Sequence, residues 1–136
     1  MRYFILTVLL TLATLQGASI EAFALKMNYE TSYKKAIAKA KLEHKKVMLV
    51  LVTHYCPWCR KYERDTLSKK SIHTLVSAKY IPLVLNRDKK EFPKKFYSDR
   101  VPTTMFIDPS SESIIHKEMG FKVKKEFLEM EAKVKP

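Results

Sequence analysis

The chain contains two cysteines, Cys56 and Cys59, in the stretch THYCPWCRKYE directly after the apolar run VMLVLV. Two thiols separated by two residues have several established uses in proteins. They form a redox-active pair, supply half of a metal site, tether a c-type haem, or close a small structural disulfide. The residues around the pair decide among these uses.

Three of these uses are poorly supported by the neighbouring residues. A c-type haem tether requires His directly after the second cysteine, where this chain has Arg60. Zinc requires four protein ligands in a structural site or three in a catalytic one, and only His54 is close in sequence. A disulfide that closes so short a loop gains little chain entropy, which disfavours a structural staple. A carrier of copper or another metal, using Cys56, Cys59 and one His, remains the non-enzymatic alternative.

The N-terminus predicts export. After Met1 and Arg2, thirteen apolar residues (YFILTVLLTLATL) precede small residues at Ala22 and Ala24, in the A-x-A relation that signal peptidase recognises. We therefore predict a cleaved signal peptide over residues 1–24, a mature domain over residues 25–136, and a periplasmic or secreted protein. The alternative is an uncleaved membrane anchor, but the apolar stretch falls short of the roughly 20 residues that span a bilayer.

Length and charge narrow the remaining possibilities. A chain of 136 residues is long enough for one compact domain with a hydrophobic core. The formal net charge of +12 could attract anionic partners, but the lysines are spread along the chain instead of forming one arm. Because an exported protein seldom meets nucleic acid, we expect no nucleic-acid partner, and we expect a monomer.

The segments on either side of the cysteines predict a strand followed by a helix. Residues 46–53 form a continuous apolar run of the kind found in strands buried on both faces. Pro57 suits the first turn of a helix, where its missing N–H costs nothing, and this helix is expected to run to about Thr66. The cysteine pair is therefore expected at a strand-to-helix junction.

The remaining hydrophobic pattern predicts an α/β fold. Helices are expected over residues 28–44, capped by Asn28, within residues 68–80, and at the C-terminus through Val123, Phe127, Met130 and Val134. Further strands are expected at residues 80–86, 103–108 and 113–118, with a short helix near residues 91–98 that turns Phe92, Phe96 and Tyr97 inward. A β-α-β crossover followed by a hairpin gives a four-stranded mixed central sheet flanked by helices.

In this arrangement the sequence resembles the thioredoxin superfamily, and in particular its small exported members. The resemblance covers nearly the whole mature chain and depends on CPWC at the strand-to-helix junction, VPT at residues 101–103 and Gly120 after the hairpin. It implies a thioredoxin-like fold and a thiol–disulfide oxidoreductase without a prosthetic cofactor. Its partners would be protein thiols or disulfides and a redox partner such as a membrane electron donor or acceptor. The direction of exchange is left open.

Elementary electrostatics assigns different tasks to the two cysteines. A helix N-terminus carries partial positive charge and unpaired N–H donors, so it favours a thiolate at Cys56 over the thiol. Cys59 lies on the same face of the first turn, where it is more shielded and can attack a mixed disulfide on Cys56. Cys56 is therefore the expected nucleophile and Cys59 the expected resolving thiol.

Four further residues are expected to contact clients. Tyr55 and Trp58 flank the cysteines and would form an apolar rim for client peptides. The resemblance implies a cis peptide bond between Val101 and Pro102, facing the cysteines. It also implies that the backbone of Val101 pairs with an incoming chain as an added strand.

One position departs from the thioredoxin pattern. Thioredoxins carry a buried acid six residues before the first cysteine, which helps to move the proton of the resolving thiol, and this chain has Val50 there. Glu63 and Asp65 lie further along the predicted helix, but the sequence does not say which way they face. Neither is assigned the proton-transfer task.

Overall fold

The computed structural model describes residues 19–136, which form five α-helices and four β-strands. The helices are α1 (Ile20–Met27), α2 (Tyr33–Glu43), α3 (Pro57–Tyr62), α4 (Lys70–Lys79) and α5 (Lys124–Ala132). The strands are β1 (Lys46–Val52), β2 (Tyr80–Asn86), β3 (Thr103–Ile107) and β4 (Ile114–Met119). A π-helical turn (Glu63–Leu67) continues α3, and two 3₁₀ turns (Arg87–Lys89 and Lys94–Phe96) follow β2.

The strands form one mixed sheet in the order β2-β1-β3-β4, which confirms the predicted fold class. β1 pairs in parallel with β2, so that Val50 lies opposite Val84, and antiparallel with β3, so that Val50 lies opposite Thr104. β3 and β4 form the predicted hairpin. The carboxylate of Asp108 accepts N–H bonds from Ser110 (2.8 Å) and Ser111 (2.9 Å) in the connecting turn.

Alternate side chains of β1 face two separate parts of the core. Met48, Val50 and Val52 face a cluster that contains both cysteines and receives α1, α3, α4 and α5; we call this side the site face. Val47, Leu49 and Leu51 face a cluster that receives α2 and Phe96; we call this side the α2 face. The period of two along a strand therefore places the redox pair over one half of the core.

The start of α2 differs from the sequence prediction. Asn28 is not the cap of this helix: it ends α1 in the left-handed conformation (φ 56°), with its N–H bonded to the carbonyl of Ala24. Asn tolerates this conformation better than most residues, which suits it to a helix C-terminus. The side chain of Ser32 caps α2 by accepting from the N–H of Lys35 at 3.3 Å.

The predicted signal peptide falls partly outside the described residues, which exclude residues 1–18. Its last residues form the first half of α1, which Ser19 caps by accepting from the N–H of Ala22 at 3.0 Å. Ile20, Phe23 and Ala24 are buried on the site face. A cut after Ala24 would remove these side chains from the core, and cleavage at that point stays a prediction.

The aromatic segment before β3 is only partly as predicted. Phe96 is fully buried and Phe92 is half-buried, but the prediction that Tyr97 points inward is wrong, because its side chain is 43% exposed. A 3₁₀ turn has three residues per turn and buries only one side chain of this run. In α5, Phe127 and Met130 are buried as predicted, whereas Val123 is the exposed N-cap. Within residues 19–136, no helix combines the length and apolarity needed to cross a membrane.

Candidate active site

The end of β1 delivers the two cysteines to the start of α3. Cys56 is the N-cap of the helix in extended conformation, Pro57 occupies the first helical position, and Cys59 follows within the first turn. The two sulfur atoms form a disulfide whose Cα atoms are 5.1 Å apart. The predicted strand-to-helix junction is therefore where the structure places the pair.

The two sulfurs occupy different environments. Cys56 is 8% exposed, whereas Cys59 is fully buried. The N–H of Cys59 donates to the sulfur of Cys56 over 3.1 Å. An N–H that points at this sulfur stabilises negative charge on it, because hydrogen bonds to ionised acceptors are stronger than those to neutral ones. The arrangement therefore favours Cys56 as the thiolate that attacks and shields Cys59 from external disulfides.

The turn at Val101–Pro102 lies beside Cys56. The Val101–Pro102 peptide bond is cis, as the resemblance implied. The carbonyl oxygen of Val101 is 4.0 Å from the sulfur of Cys56, and the carbonyl of Pro102 accepts from the N–H of Gly120 at 2.7 Å. Gly120 has a φ of 91°, a conformation that favours glycine, so its place after the hairpin is set by backbone geometry.

Tyr55, Trp58 and Phe121 form an aromatic rim around the pair. Tyr55 is fully exposed and Trp58 is 59% exposed. The rings of Trp58 and Phe121 are 5.7 Å apart, and the ammonium group of Lys61 lies 6.0 Å from the first and 5.7 Å from the second. The sequence did not identify Phe121, because it lies more than 60 positions after Trp58 and reaches the rim only through the fold.

Glu63 is a buried acid next to the redox pair, and the sequence left it unassigned. It is 4% exposed, and its N–H bonds back to the carbonyl of Cys59 one turn earlier. The guanidinium of Arg60 binds both carboxylate oxygens, at 2.9 and 2.8 Å, and also donates to the carbonyl of Thr53. Burial raises the pKa of Glu63 to about 7, although Arg60 acts in the opposite direction.

The spacing of Glu63 could have revealed it, since a residue four positions after Cys59 shares its helix face. Asp65 lies at the surface instead, where its hydrogen bond from Arg64 lowers its pKa. The acid that thioredoxins carry in the strand is absent at Val50, but an acid from the helix lies on the same site face.

Two buried tyrosines extend this polar region beneath α3. The hydroxyl of Tyr62 is 2.9 Å from that of Thr104, whereas the hydroxyl of Tyr29 is buried with no hydrogen-bond partner among the described residues. Burial raises the pKa of both phenols, and the charge of Glu63 adds to the rise at Tyr29. A cleft of about 320 Å³ lies between α1 and the active-site helix, by which we mean α3 with its π-helical continuation. Its lining includes Phe23, Arg60 and Glu63.

The structure shows no third ligand for the copper alternative within residues 19–136. Among the residues that the structure describes, no three His, Cys, Asp or Glu side chains cluster closely enough to hold a metal ion. His54, the histidine nearest to the pair in sequence, forms no such group with Cys56 and Cys59.

A family model described as a thioredoxin-like domain matches residues 33–135. The chain belongs to this thioredoxin-like family. The match begins at the first residue of α2, so α1 lies outside the matched residues, although its apolar side chains pack into the same core. No curated protein matches the chain significantly.

Solved structures with this thioredoxin-like fold are similar over most of the chain. A thioredoxin from Thermus thermophilus has 21% identity and a TM-score of 0.64, and the match covers 74% of this chain and 82% of that one. The DsbD C-terminal domain from Neisseria meningitidis in its oxidised form has 19% identity and a TM-score of 0.64, over 78% and 99% of the two chains. The DsbH oxidoreductase has 18% identity and a TM-score of 0.60, over 77% and 83%. Family membership and the C-x-x-C disulfide together support a thiol–disulfide oxidoreductase.

Proposed function

We propose that this protein exchanges disulfides with protein clients, with Cys56 as nucleophile and Cys59 as resolving thiol. The observation that carries the proposal is the asymmetry of the pair. The sulfur of Cys56 lies at the tip of α3, accepts the N–H of Cys59 and is beside the carbonyl of Val101, whereas Cys59 is fully buried. An external disulfide can therefore approach Cys56 but not Cys59.

The exchange balances as two displacements at sulfur. The Cys56 thiolate attacks a client disulfide, so that a mixed disulfide forms and one client sulfur leaves as a thiolate. The Cys59 thiolate then attacks the sulfur of Cys56, which closes the Cys56–Cys59 disulfide and releases the second client thiolate. The client gains two electrons and the protein loses two. The reverse sequence oxidises a client dithiol, and the reduction potentials of the two couples set the direction.

In the proposed exchange, Glu63 handles the proton of the resolving thiol. Cys59 must lose its proton before it attacks, and it is shielded from bulk water. The carboxyl of Glu63 belongs to the next turn on the same helix face, and its pKa of about 7 lets it accept and release a proton near neutral pH. The salt bridge from Arg60 fixes the orientation of the carboxyl.

The client would bind along the edge formed by Val101 and the aromatic rim. An extended client segment would pair with the backbone of Val101, while its side chains pack on Tyr55 and Trp58, whose exposed rings present apolar surface. This mode of binding selects for an accessible extended segment around the client cysteine.

The compartment we propose is the periplasm or the outside of the cell, with a membrane electron donor or acceptor as redox partner. The apolar segment near the N-terminus and the A-x-A sequence support this proposal. Cell fractionation, with mass measurement of the purified protein, tests it. A full-length chain recovered from the cytoplasm would contradict it.

Single-cysteine variants test the central proposal. Cys56→Ser should abolish exchange with a disulfide-bonded client, because no accessible sulfur remains. Cys59→Ser should accumulate mixed disulfides with clients, which are visible as mass adducts that a reductant removes. The assignment would be wrong if Cys56→Ser collected adducts and Cys59→Ser did not. Trp58→Ala, which retains both sulfurs, should weaken client binding without abolishing exchange.

A further inference from the structure

The segment at residues 87–100, which we call the basic loop, begins and ends at the active-site edge of the sheet. β1 and β2 run in parallel, so the cysteines that follow β1 and the loop that follows β2 emerge at the same edge. The loop ends directly before Val101, whose carbonyl oxygen lies 4.0 Å from the sulfur of Cys56. A client bound at the cysteines therefore has this loop as a neighbour.

The basic loop contains an open cleft of about 540 Å³, lined by Lys90, Phe92, Lys94 and Tyr97. Phe92 packs on the α2 face of the core, and Tyr97 is 43% exposed. The N–H of Tyr97 bonds to the carbonyl of Lys94 at 3.0 Å, so one tight turn presents both a cation and an aromatic ring. The cleft thus combines an apolar floor with two ammonium groups.

The two lysines of the cleft carry charge that the described residues do not neutralise. Lys90 and Lys94 take part in no ion pair within residues 19–136. Lys89, by contrast, lies 4.0 Å from Glu21. Glu91 does not line this cleft: it borders a separate one, next to α1. The cleft is therefore electrostatically suited to a negatively charged group.

Lys90 also occupies a backbone position that lysine does not favour. Its φ is 54°, in the left-handed region, where its N–H bonds to the carbonyl of Arg87. Gly or Asn adopts this conformation at lower cost. The local turn does not explain a lysine here, whereas an ammonium group at the mouth of a binding cleft does.

We propose that this cleft is a second docking site for protein clients, which recognises an acidic side chain beside an aromatic one near the client's reactive cysteine. The inference rests on the proposed function, because the client must reach Cys56 at the same time. Tyr97 precedes Val101 by four residues, and four extended residues span at most about 14 Å. An acidic–aromatic pair about four to six residues from the client cysteine can therefore reach the cleft.

The test uses short synthetic peptides that each carry one cysteine in a mixed disulfide with a chromogenic thiol. One peptide has Glu-Phe five residues from its cysteine, and the others have Gln-Phe, Lys-Phe or Glu-Ser at that place. Each peptide is made in two versions, with the pair on the N-terminal or on the C-terminal side of the cysteine. Stopped-flow absorbance gives the second-order rate constant for each peptide with the reduced protein. We expect the Glu-Phe peptide to react about fivefold faster than the Gln-Phe peptide at low salt, as two partly screened ion pairs allow, and the advantage to shrink at high salt.

Two charge-matched variants separate the cleft from the general positive field of the protein. Lys90→Asn combined with Lys94→Gln should remove the Glu-Phe preference and leave the Gln-Phe rate within about twofold, while thermal melts confirm folding. Lys41→Gln combined with Lys46→Gln removes the same charge at the end of the sheet where β1 begins, and it should retain the preference. Asn suits the backbone at residue 90, so the first variant is not expected to unfold.

The outcomes distinguish the two proposals. Absence of exchange with every peptide would overturn the proposed function itself. Equal rates for the Glu-Phe and Gln-Phe peptides would overturn only the docking site, as would an equal loss of preference in both charge-matched variants. A Glu-Ser peptide as fast as Glu-Phe would overturn the aromatic part of the recognition.

Discussion

The two faces of the sheet share the same strands but hold different kinds of core. The buried cluster on the α2 face consists of aliphatic side chains, methionine and phenylalanine, and none of its buried members is ionisable. The site face holds the cysteine pair and three buried tyrosines, Tyr29, Tyr62 and Tyr80, and Glu63 is buried beside it, in the turn that continues α3. The cluster on the α2 face is therefore packed with apolar side chains alone, whereas the site face also buries groups that can exchange protons.

This division follows from how each type of side chain contributes to stability. Apolar burial stabilises in proportion to area, whereas a buried polar group costs free energy unless it is hydrogen-bonded. The α2 face can thus act as the support that keeps β1 in place while the site face carries the less favourable groups.

Leu49→Ala on the α2 face should lower the free energy of unfolding by about 3 to 4 kcal/mol, because a fully buried Leu loses its contacts and leaves a cavity. The exchange rate per folded molecule should stay within about twofold of the wild-type rate, since no group on the site face changes. Chemical denaturation and a client-reduction assay provide the two measurements. A tenfold loss of rate in fully folded protein would show that the two faces are not independent.

The ionisation of Glu63 should make stability depend on pH. Its pKa is raised from 4.5 to about 7 in the folded state. Below about pH 4.5 the carboxyl is protonated in both the folded and the unfolded protein, so it does not lower the free energy of unfolding there. Stability is then lost as the pH rises through the folded pKa, up to about 3 kcal/mol above pH 7. Burial raises the pKa of the phenols of Tyr29 and Tyr62, so both stay neutral over this window.

Glu63→Gln should remove this dependence, so that the stability of the variant changes less than that of the wild type between pH 4.5 and 8. Asp65→Asn is the matched control, because Asp65 is an acid two residues away at the surface. Its lowered pKa places its own titration below this window, so the control should keep the wild-type pH profile. Urea denaturation at several pH values is the measurement. A Glu63→Gln profile as steep as that of the wild type would remove the evidence for a buried titrating acid.

The reduction potential should respond to the same carboxyl. The N–H of Cys59 favours the Cys56 thiolate and hence the reduced protein, whereas an ionised Glu63 opposes it. Glu63→Gln should therefore make the potential less negative by on the order of 30 mV above pH 7, equivalent to about 1.4 kcal/mol, and by much less at pH 5.5. Equilibration with glutathione at both pH values measures the shift. An equal shift at both would mean that Glu63 acts through packing and not through its charge.

The sequence predicts the structural features that depend on neighbouring residues, and it misses those that depend on contacts between residues far apart in the chain. The apolar run of β1, Pro57 after Cys56, and the hairpin follow from local patterns, and the structure confirms them. The prediction for Asn28 is wrong because an Asn suits both ends of a helix, and the choice depends on α1, whose first half the sequence assigns to the signal peptide.

Exposure was harder to predict than secondary structure. Tyr97 was expected inside because its neighbours are aromatic, yet the 3₁₀ turn leaves room for only one of them in the core. The sequence leaves Glu63 unassigned because the helical pattern alone does not say which way this side chain faces. Its burial depends on α1, which lies across the cleft from the active-site helix and comes from a segment more than 35 residues earlier in the chain.

The smallest expected effects concern Tyr29 and Tyr62, two of the three buried tyrosines of the site face, which differ in one hydrogen bond. The hydroxyl of Tyr29 has no partner among the described residues, so Tyr29→Phe removes a buried polar group without breaking a bond and should stabilise the protein by up to about 1 kcal/mol. The hydroxyl of Tyr62 pairs with Thr104, so Tyr62→Phe leaves that group unpaired and should destabilise by about 1 kcal/mol. Because both changes preserve the ring, packing cancels, and denaturation of the two variants compares the hydroxyls alone. Destabilisation by Tyr29→Phe would mean that this hydroxyl does have a partner in solution, and Glu63, whose charge already affects the pKa of Tyr29, is the group to examine by repeating the measurement in Glu63→Gln.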